Sequence, residues 1–223
     1  MSATILLTGF EPFGQTPVNP AEKVARALDG ASVAGGRICS LIVENSFGRS
    51  IAQVKRAIAA HRPELVVMLG EYGGRAMITF ERFAHNFDDS ARYALTDNAG
   101  VSIGGAVNIP DAPLAYRSTL PLNAMTHALR RAGVPADISD TAGTNVCNHL
   151  LFGILHHIRM EALRIRAGWI HLPHLPEVAA LDTHLGAPSM ALDTSITGVR
   201  IAIEAALAHA QDDPVSPRSC WQI

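Results

Sequence analysis

Two kinds of hydrophobic pattern alternate along the chain. Short continuous apolar runs are typical of strands covered on both faces, and apolar residues at every third or fourth position are typical of helices. The predicted strands are residues 4–9, 38–43, 65–70, 136–139 and 168–172, with an extended segment at 76–87. The predicted helices are residues 50–61, 120–132, a segment that starts near Val146, and 190–208.

Strands that alternate with helices predict an α/β fold, here a three-layer α/β/α sandwich whose mostly parallel mixed sheet has helices on both faces. Residues 1–210 carry the pattern without a linker or an internal repeat, which indicates a single domain. Residues 92–116 are rich in turn-forming residues and are predicted to be a long excursion. The tail at 211–223 is expected to fray.

Composition excludes several classes of function. The 223 residues are 48% hydrophobic, which suits a sizeable core, and the formal net charge of -2 favours neither nucleic acid nor an anionic membrane. No apolar stretch is long enough for a membrane span, and the N-terminus does not resemble a signal peptide. The three cysteines, Cys39, Cys147 and Cys220, are widely spaced, which indicates reduced thiols and a cytoplasmic location.

The loop at residues 6–16 resembles a phosphate-binding loop, because Gly9 and Gly14 have the spacing of that motif. However, Gln15 occupies the position of the essential lysine, and Pro12 has no backbone N–H to donate. A phosphate site is therefore not expected here.

Two interpretations remain for the aromatic residues of this loop, Phe10 and Phe13. Both side chains could complete the hydrophobic core, which the sequence alone slightly favours. Alternatively, they could form an apolar wall beside the end of a strand, suited to a small and uncharged ring-like group.

Cys147 follows a short strand and a glycine-containing turn, which places it in the first turn of a helix. The helix dipole and the free N–H groups at that position should lower the pKa of the thiol. The same N–H groups could bind a developing oxyanion. The alternative is an inert core cysteine, and the sequence does not decide between the two.

Two further residues could cooperate with such a thiol. His171 lies near the end of a strand and could act as a base, although a polar residue at a loop mouth is the simpler interpretation; His174 is the competing histidine. Glu81 falls among apolar neighbours in an extended segment, where a carboxylate needs a partner. It could orient a base, as in a catalytic triad, or form a structural salt bridge with Arg75 or Arg82.

A metal site is not predicted, although the chain contains ten histidines. His149, His156 and His157 share one predicted helix, but their spacing does not place them on one face. The chain has neither an HExxH nor a CxxC motif. No metal and no cofactor are therefore expected.

Several motifs together resemble the pyrrolidone carboxyl peptidases, also called pyroglutamyl peptidases I, a family of cysteine peptidases. The resemblance extends over nearly the whole chain, and the motifs occur in the order of the family. They are TGFEPFG followed by Asn19-Pro20, the GGR at 73–75, ERFAHN, AYRSTLP at 115–121, SDTAGTNVCNH and HLPHLPE.

The resemblance implies a catalytic triad of Glu81, Cys147 and His171. It implies removal of an N-terminal pyroglutamyl residue from small peptides through a thioester, by a single catalytic domain in the cytoplasm that forms a homo-oligomer, a tetramer or a dimer. No metal, nucleic acid or membrane takes part. The substrate-binding residues that it implies are Phe10, Phe13, Asn19, Glu71 and Asn145.

Two of these positions depart from the family pattern. Glu71 replaces a glutamine near the expected lactam site, and Asn145 replaces an aromatic residue two positions before the nucleophile. An ionised Glu71 would repel the thiolate of Cys147, whereas a protonated one could donate a hydrogen bond. We therefore expect activity on plain pyroglutamyl substrates to be weakened or shifted to lower pH. A hydrolase for another N-acyl or lactam amide and an inactive binding homologue remain as alternatives.

Overall fold

The computed structural model describes residues 3–14 and 16–221. Residues 1–2, 15 and 222–223 lie outside the described residues, and with them the predictions made for the extreme N-terminus, Gln15 and the end of the tail. The strands are β1 (Thr4–Phe10), β2 (Ser32–Val33), β3 (Gly36–Val43), β4 (Leu65–Glu71), β5 (Ile78–Glu81), β6 (Phe83–His85), β7 (Ala115–Arg117), β8 (Ala136–Ser139) and β9 (Arg166–Leu172). The α-helices are α1 (Pro20–Leu28), α2 (Ser50–His61), α3 (Leu122–Arg131), α4 (Val146–Met160), α5 (Pro176–Ala179) and α6 (Leu192–Ala208).

Seven strands form one mixed sheet in the order β2-β3-β1-β4-β9-β5-β8. Strands β3, β1, β4 and β9 are parallel, β2 is antiparallel to β3, and β5 is antiparallel to β9 but parallel to β8. The predicted fold class, a mostly parallel mixed sheet with helices, is confirmed. The extended segment at 76–87 divides into β5 and β6, and β6 pairs with β7 in a separate two-stranded sheet.

Alternating side chains of the central strands supply two hydrophobic cores, one on each face of the sheet. On one face, Ile5 and Leu7 pack in the core that includes residues of α1, α3 and α6. On the other face, Leu6 and Met68 pack in the core that includes residues of α2 and α4. Each fully buried aliphatic side chain stabilises the fold by about 1.5–3 kcal/mol. Within the described residues, no helix is both long enough and apolar enough to cross a bilayer.

The glycine at the end of β1 serves close packing. A Cβ added to Gly9 would lie 2.2 Å from the carbonyl oxygen of Ala21, so the missing side chain lets α1 approach the strand. Helix α1 begins where Asn19 accepts a hydrogen bond from the N–H of Ala21 and Pro20 occupies the first turn, an arrangement that favours helix initiation.

The described part of the tail contacts helix α3, and fraying of the tail stays a prediction. The carboxylate of Asp212 accepts hydrogen bonds from the backbone N–H groups of Asn123 and Ala124. These groups belong to the first turn of α3, whose own N-cap residue, Pro121, provides no side-chain cap. The tail therefore supplies a cap that the local sequence lacks, and this capping holds it against the helix.

Candidate active site

Three elements bring their functional side chains to one cavity of about 290 Å³. Glu71 ends β4, His171 lies near the end of the neighbouring parallel strand β9, and Cys147 lies in the first turn of α4. The carboxyl ends of parallel strands are the usual ligand-binding edge of an α/β sheet. Two further predicted residues, Phe13 and Asn145, also line the cavity.

Glu81 reaches His171 from the antiparallel strand β5. In the register of β5 with β9, Thr79 lies opposite His171 and Glu81 lies opposite Trp169, so these side chains share one face of the sheet. The Oε1 atom of Glu81 is 2.7 Å from Nδ1 of His171. Both side chains are almost fully buried, so water does not compete for this hydrogen bond.

Arg75 binds the same carboxylate oxygen, with its guanidinium nitrogen 2.8 Å from Oε1 of Glu81. Burial favours the neutral form of Glu81, but the contacts with His171 and Arg75 outweigh burial and hold the pKa of Glu81 below its ordinary value. The two interpretations of Glu81 are thus not exclusive, because the salt bridge to Arg75 and the contact with His171 coexist. Arg82 pairs instead with Asp140.

The rings around His171 fix its orientation further. Tyr72 packs edge-on against it, with ring centroids 5.4 Å apart, and Trp169 packs from another side at 5.6 Å. The guanidinium carbon of Arg75 lies 3.9 Å from the centroid of the Tyr72 ring, within the range of a cation–π contact. Arg75 therefore connects the carboxylate of Glu81 with the aromatic residue that covers His171.

The expected lowering of the pKa of the Cys147 thiol is wrong for this structure. The pKa is raised to about 12, chiefly by burial and also by the negative charges of Glu81 and Glu71, although a hydrogen bond from the backbone N–H of Cys147 lowers it. The N–H of the first helical turn does act on the sulfur, as the sequence indicated. It is outweighed because the thiolate would lose its hydration near two carboxylates.

The raised pKa favours the neutral thiol at neutral pH, so a proton acceptor beside the sulfur would assist formation of the thiolate. His171 is the suitable acceptor. Its Nδ1–H donates to ionised Glu81, a tautomer inferred from the hydrogen bond, which leaves Nε2 free to take a proton. The arrangement has the three parts of a nucleophile, a base and a residue that orients the base.

Glu71, which lines the same cavity, forms a second carboxylate–histidine pair with His174. Its Oε1 atom lies 2.6 Å from Nδ1 of His174, while its buried Oε2 atom has no hydrogen-bond partner among the described residues. Burial raises the pKa of Glu71, and the hydrogen bond and charge of His174 offset only part of that increase. Gly73 makes room for this pair, because a Cβ there would lie 2.0 Å from Nε2 of His174.

Asn145, the other departure from the family pattern, occupies the N-cap position of α4 but makes no side-chain capping hydrogen bond. Its buried Oδ1 atom has no partner among the described residues, and the residue lines the cavity with Cys147. An amide in this position adds polarity to the cavity wall next to the nucleophile.

Two residues predicted to bind substrate lie elsewhere. Phe10 is buried in the core, with its ring centroid 5.5 Å from that of Trp169, and does not line the cavity. Asn19 is fully buried, caps α1 and donates a hydrogen bond to the carbonyl of Glu11. The periodicity of β1 explains Phe10: its side chain points to the same face as Leu6, into the core with α2 and α4.

Several cavity residues were not identified from the sequence. Tyr93 and Leu95 come from the long excursion, and Asn45 and Tyr72 follow the ends of strands. Only the positions of Asn45 and Tyr72, just beyond the carboxyl ends of parallel strands, offered a signal. Within residues 3–14 and 16–221, no group of three metal-ligating side chains is close enough to hold an ion.

Comparison with known proteins gives consistent matches over almost the whole chain. A family profile described as pyroglutamyl peptidase matches residues 3–209. The pyrrolidone-carboxylate peptidase of Mycobacterium bovis is 53% identical over 216 residues, which cover 96% of this chain and 97% of that protein. Pyrrolidone-carboxylate peptidase 1 of Ralstonia nicotianae is 46% identical over 209 residues, with 94% and 95% of the two chains covered.

Solved structures that resemble this chain belong to proteins with the same names. The crystal structure of pyroglutamyl peptidase I from Bacillus amyloliquefaciens superposes with a TM-score of 0.92 at 36% identity and covers 97% of this chain and 100% of that chain. The pyrrolidone carboxyl peptidase of Thermococcus litoralis superposes with a TM-score of 0.91 at 35% identity. This match covers 98% of this chain and 100% of that chain.

Proposed function

We propose that Cys147, His171 and Glu81 carry out the reaction of this chain, which belongs to the pyroglutamyl peptidase family and is a hydrolase of the pyroglutamyl-peptidase I type. It is a cysteine peptidase that removes an N-terminal pyroglutamyl residue. The family profile and the relatives confirm the resemblance that the sequence motifs indicated. One observation supports the assignment of the residues: His171, held by a buried hydrogen bond of 2.7 Å to Glu81, lines the same small cavity as Cys147.

The first half of the reaction forms a thioester. Nε2 of His171 takes the proton of the Cys147 thiol as the sulfur attacks the carbonyl carbon of the pyroglutamyl residue. The N–H groups at the start of α4 stabilise the negative charge that develops on the carbonyl oxygen. The tetrahedral intermediate then collapses, the C–N bond breaks, and His171 passes its proton to the departing amine.

The second half restores the enzyme. Water attacks the thioester while His171 accepts one of its protons, and the C–S bond breaks to release free pyroglutamate. The proton returns to the sulfur. Through both halves Glu81 holds the imidazole in one tautomer and stabilises its protonated form, and Arg75 keeps Glu81 ionised.

The size of the cavity suits this substrate. At about 290 Å³ it is at the lower end of the range of ligand cavities, roughly 300–1,000 Å³. A single small ring fits such a volume, and Phe13 offers an apolar contact for it. The pyroglutamyl ring carries no charge, so it avoids the large penalty of burying an ion, while its lactam N–H and C=O need hydrogen-bond partners in the cavity. Phe13, Glu71 and Asn145 are the substrate-binding residues that this proposal retains.

The two alternatives, a hydrolase for a different N-acyl or lactam amide and an inactive binding homologue, are not favoured. The relatives that match over almost the full length are named as pyrrolidone-carboxylate peptidases. Glu71 and Asn145 change the wall of the cavity without disturbing the contact between Glu81 and His171.

Hydrolysis of pyroglutamyl-aminomethylcoumarin tests the proposal. The wild type should release the fluorophore, and Cys147→Ser should not. Cys39→Ser is the matched control, since Cys39 lies on β3 away from the cavity, and it should retain the wild-type rate. Equal turnover by the wild type and Cys147→Ser would exclude Cys147 as the nucleophile.

A further inference from the structure

No proton transfer of the proposed reaction uses the buried titratable pair of Glu71 and His174. Glu71 and His174 are both buried, and their hydrogen bond of 2.6 Å is as short as that between Glu81 and His171. Glu71 lies on the wall of the cavity that contains Cys147. The absent Cβ of Gly73 gives the imidazole its space. One member of each carboxylate–histidine pair, His171 or Glu71, therefore lines the cavity that contains Cys147.

The net charge of this second pair depends on a single proton. A carboxylate with a protonated imidazole is neutral, and so is a carboxylic acid with a neutral imidazole. Once the shared proton leaves for the solvent, the pair carries one negative charge. Because the Oε2 atom of Glu71 has no hydrogen-bond partner among the described residues, no donor there stabilises this charge.

Negative charge at this place opposes the chemistry of Cys147. Both the thiolate and the oxyanion of the tetrahedral intermediate are negative, and they form in a cavity of low polarity. The charge of Glu71 already acts on Cys147, whose thiol pKa it raises. At an effective dielectric constant near 20, a unit charge within about 10 Å changes a pKa by about one unit or more.

We propose that Glu71 and His174 form a second functional pair that supports the reaction of Cys147 only while it holds its proton, and so sets the upper pH limit of activity. His174 acts through Glu71 and Glu71 acts through its charge, so both are positioning residues rather than catalytic ones. The expected effect of the pair on turnover rests on the proposed function. The expected effect of the pair on the reactivity of the Cys147 thiol does not.

Other titratable or charged groups surround the pair, and none replaces its role. His184 lies beside His174, with ring centroids 5.0 Å apart. His171 is held by Glu81, and Glu81 is neutralised by Arg75. The remaining groups on the adjoining walls are Cys147, Tyr72 and Tyr93.

Two substitutions should move the pH dependence in opposite directions. Glu71→Gln removes the negative state altogether, so activity should persist to higher pH. His174→Asn keeps an N–H donor near the position of Nδ1 but cannot hold the proton. The carboxylate of Glu71 then ionises without compensation, so activity should be lost at lower pH than in the wild type. Each shift should be about one pH unit.

The rate of Cys147 alkylation by iodoacetamide, followed by mass spectrometry between pH 5 and about pH 10, measures the effect without any substrate. We expect the half-maximal rate at lower pH in Glu71→Gln and at higher pH in His174→Asn, relative to the wild type. The matched control is Asp88→Asn, because Asp88 binds His149 in a buried pair of 2.7 Å that does not line the cavity. It should leave the midpoint unchanged.

Opposite shifts of the two variants support the proposal. Shifts in the same direction, no shift in either variant, or an equal shift in Asp88→Asn would overturn it. If one variant fails to fold, the direction of the other still decides, since each has its own expected sign. Turnover of pyroglutamyl-aminomethylcoumarin is measured in parallel: absence of turnover with opposite labelling shifts would reject the proposed function and retain the pair.

Discussion

The imidazole of His171 and the carboxylate of Glu81 meet across two antiparallel strands, with Nδ1 and Oε1 2.7 Å apart. The antiparallel insertion of β5 beside β9 makes this possible, because it brings a carboxylate from one strand to the end of the other. Arg75 fixes the same oxygen from a third direction. His171 therefore has one orientation before any substrate arrives, which is the preorganisation that general base catalysis requires.

Glu81→Gln should lower kcat by roughly 10²- to 10⁴-fold, because the amide no longer enforces the productive tautomer or stabilises the imidazolium. The effect on KM should be small, since Glu81 does not line the cavity. Steady-state kinetics with pyroglutamyl-aminomethylcoumarin measures both constants, and circular dichroism verifies folding. A kcat within a few-fold of the wild type would show that Glu81 is only structural.

Arg75→Gln should move the acidic side of the pH profile of kcat to higher pH. Glu81 must be ionised to orient His171, and the positive charge of Arg75 helps to hold the pKa of Glu81 below its ordinary value. Without that charge the carboxylate is protonated at higher pH, so activity is lost earlier on acidification, by about one pH unit. Arg75→Lys, which keeps the charge, should shift the profile less. Identical pH profiles for Gln, Lys and the wild type would contradict this account.

Phe10→Ala and Phe13→Ala should separate stability from binding. Phe10 is 2% exposed in the core, so its truncation should cost about 3–5 kcal/mol of unfolding free energy. Phe13 lines the cavity, and its truncation should raise KM roughly 5- to 30-fold with a smaller loss of stability. Urea denaturation and steady-state kinetics on both variants test this. An increase in KM for Phe10→Ala at full stability would return Phe10 to the cavity wall.

The fold could be predicted from the sequence to the extent that its signals are local. The apolar runs of β1, β4 and β9 and the periodicity of α2 and α6 mark buried strands and amphipathic helices directly. Helix α1 also had a signal, since Asn19-Pro20 is a common start of a helix. The antiparallel direction of β5 could not be predicted, because it depends on pairing with distant strands.

The functional site likewise has features that the sequence predicts and features that depend on contacts between distant segments. The motifs identified Glu81, Cys147 and His171, but the pKa of Cys147 depends on burial and on carboxylates that distant segments bring close. A helix start seen in isolation predicts a lower pKa, and tertiary structure reverses the sign. The partner of Glu71 was not predicted either, because His174 is 103 positions away along the chain. Contacts between remote segments leave no periodic trace in the sequence.

The acyl-enzyme is the central claim of this account, and intact-protein mass spectrometry tests it most directly. Wild-type protein mixed with excess pyroglutamyl-aminomethylcoumarin and quenched in acid should gain the mass of one pyroglutamyl group, and peptide mapping should place that group on Cys147. Cys147→Ala should gain nothing. Turnover by the wild type without any adduct on Cys147, or an adduct of the same mass on Cys147→Ala, would contradict the thioester mechanism.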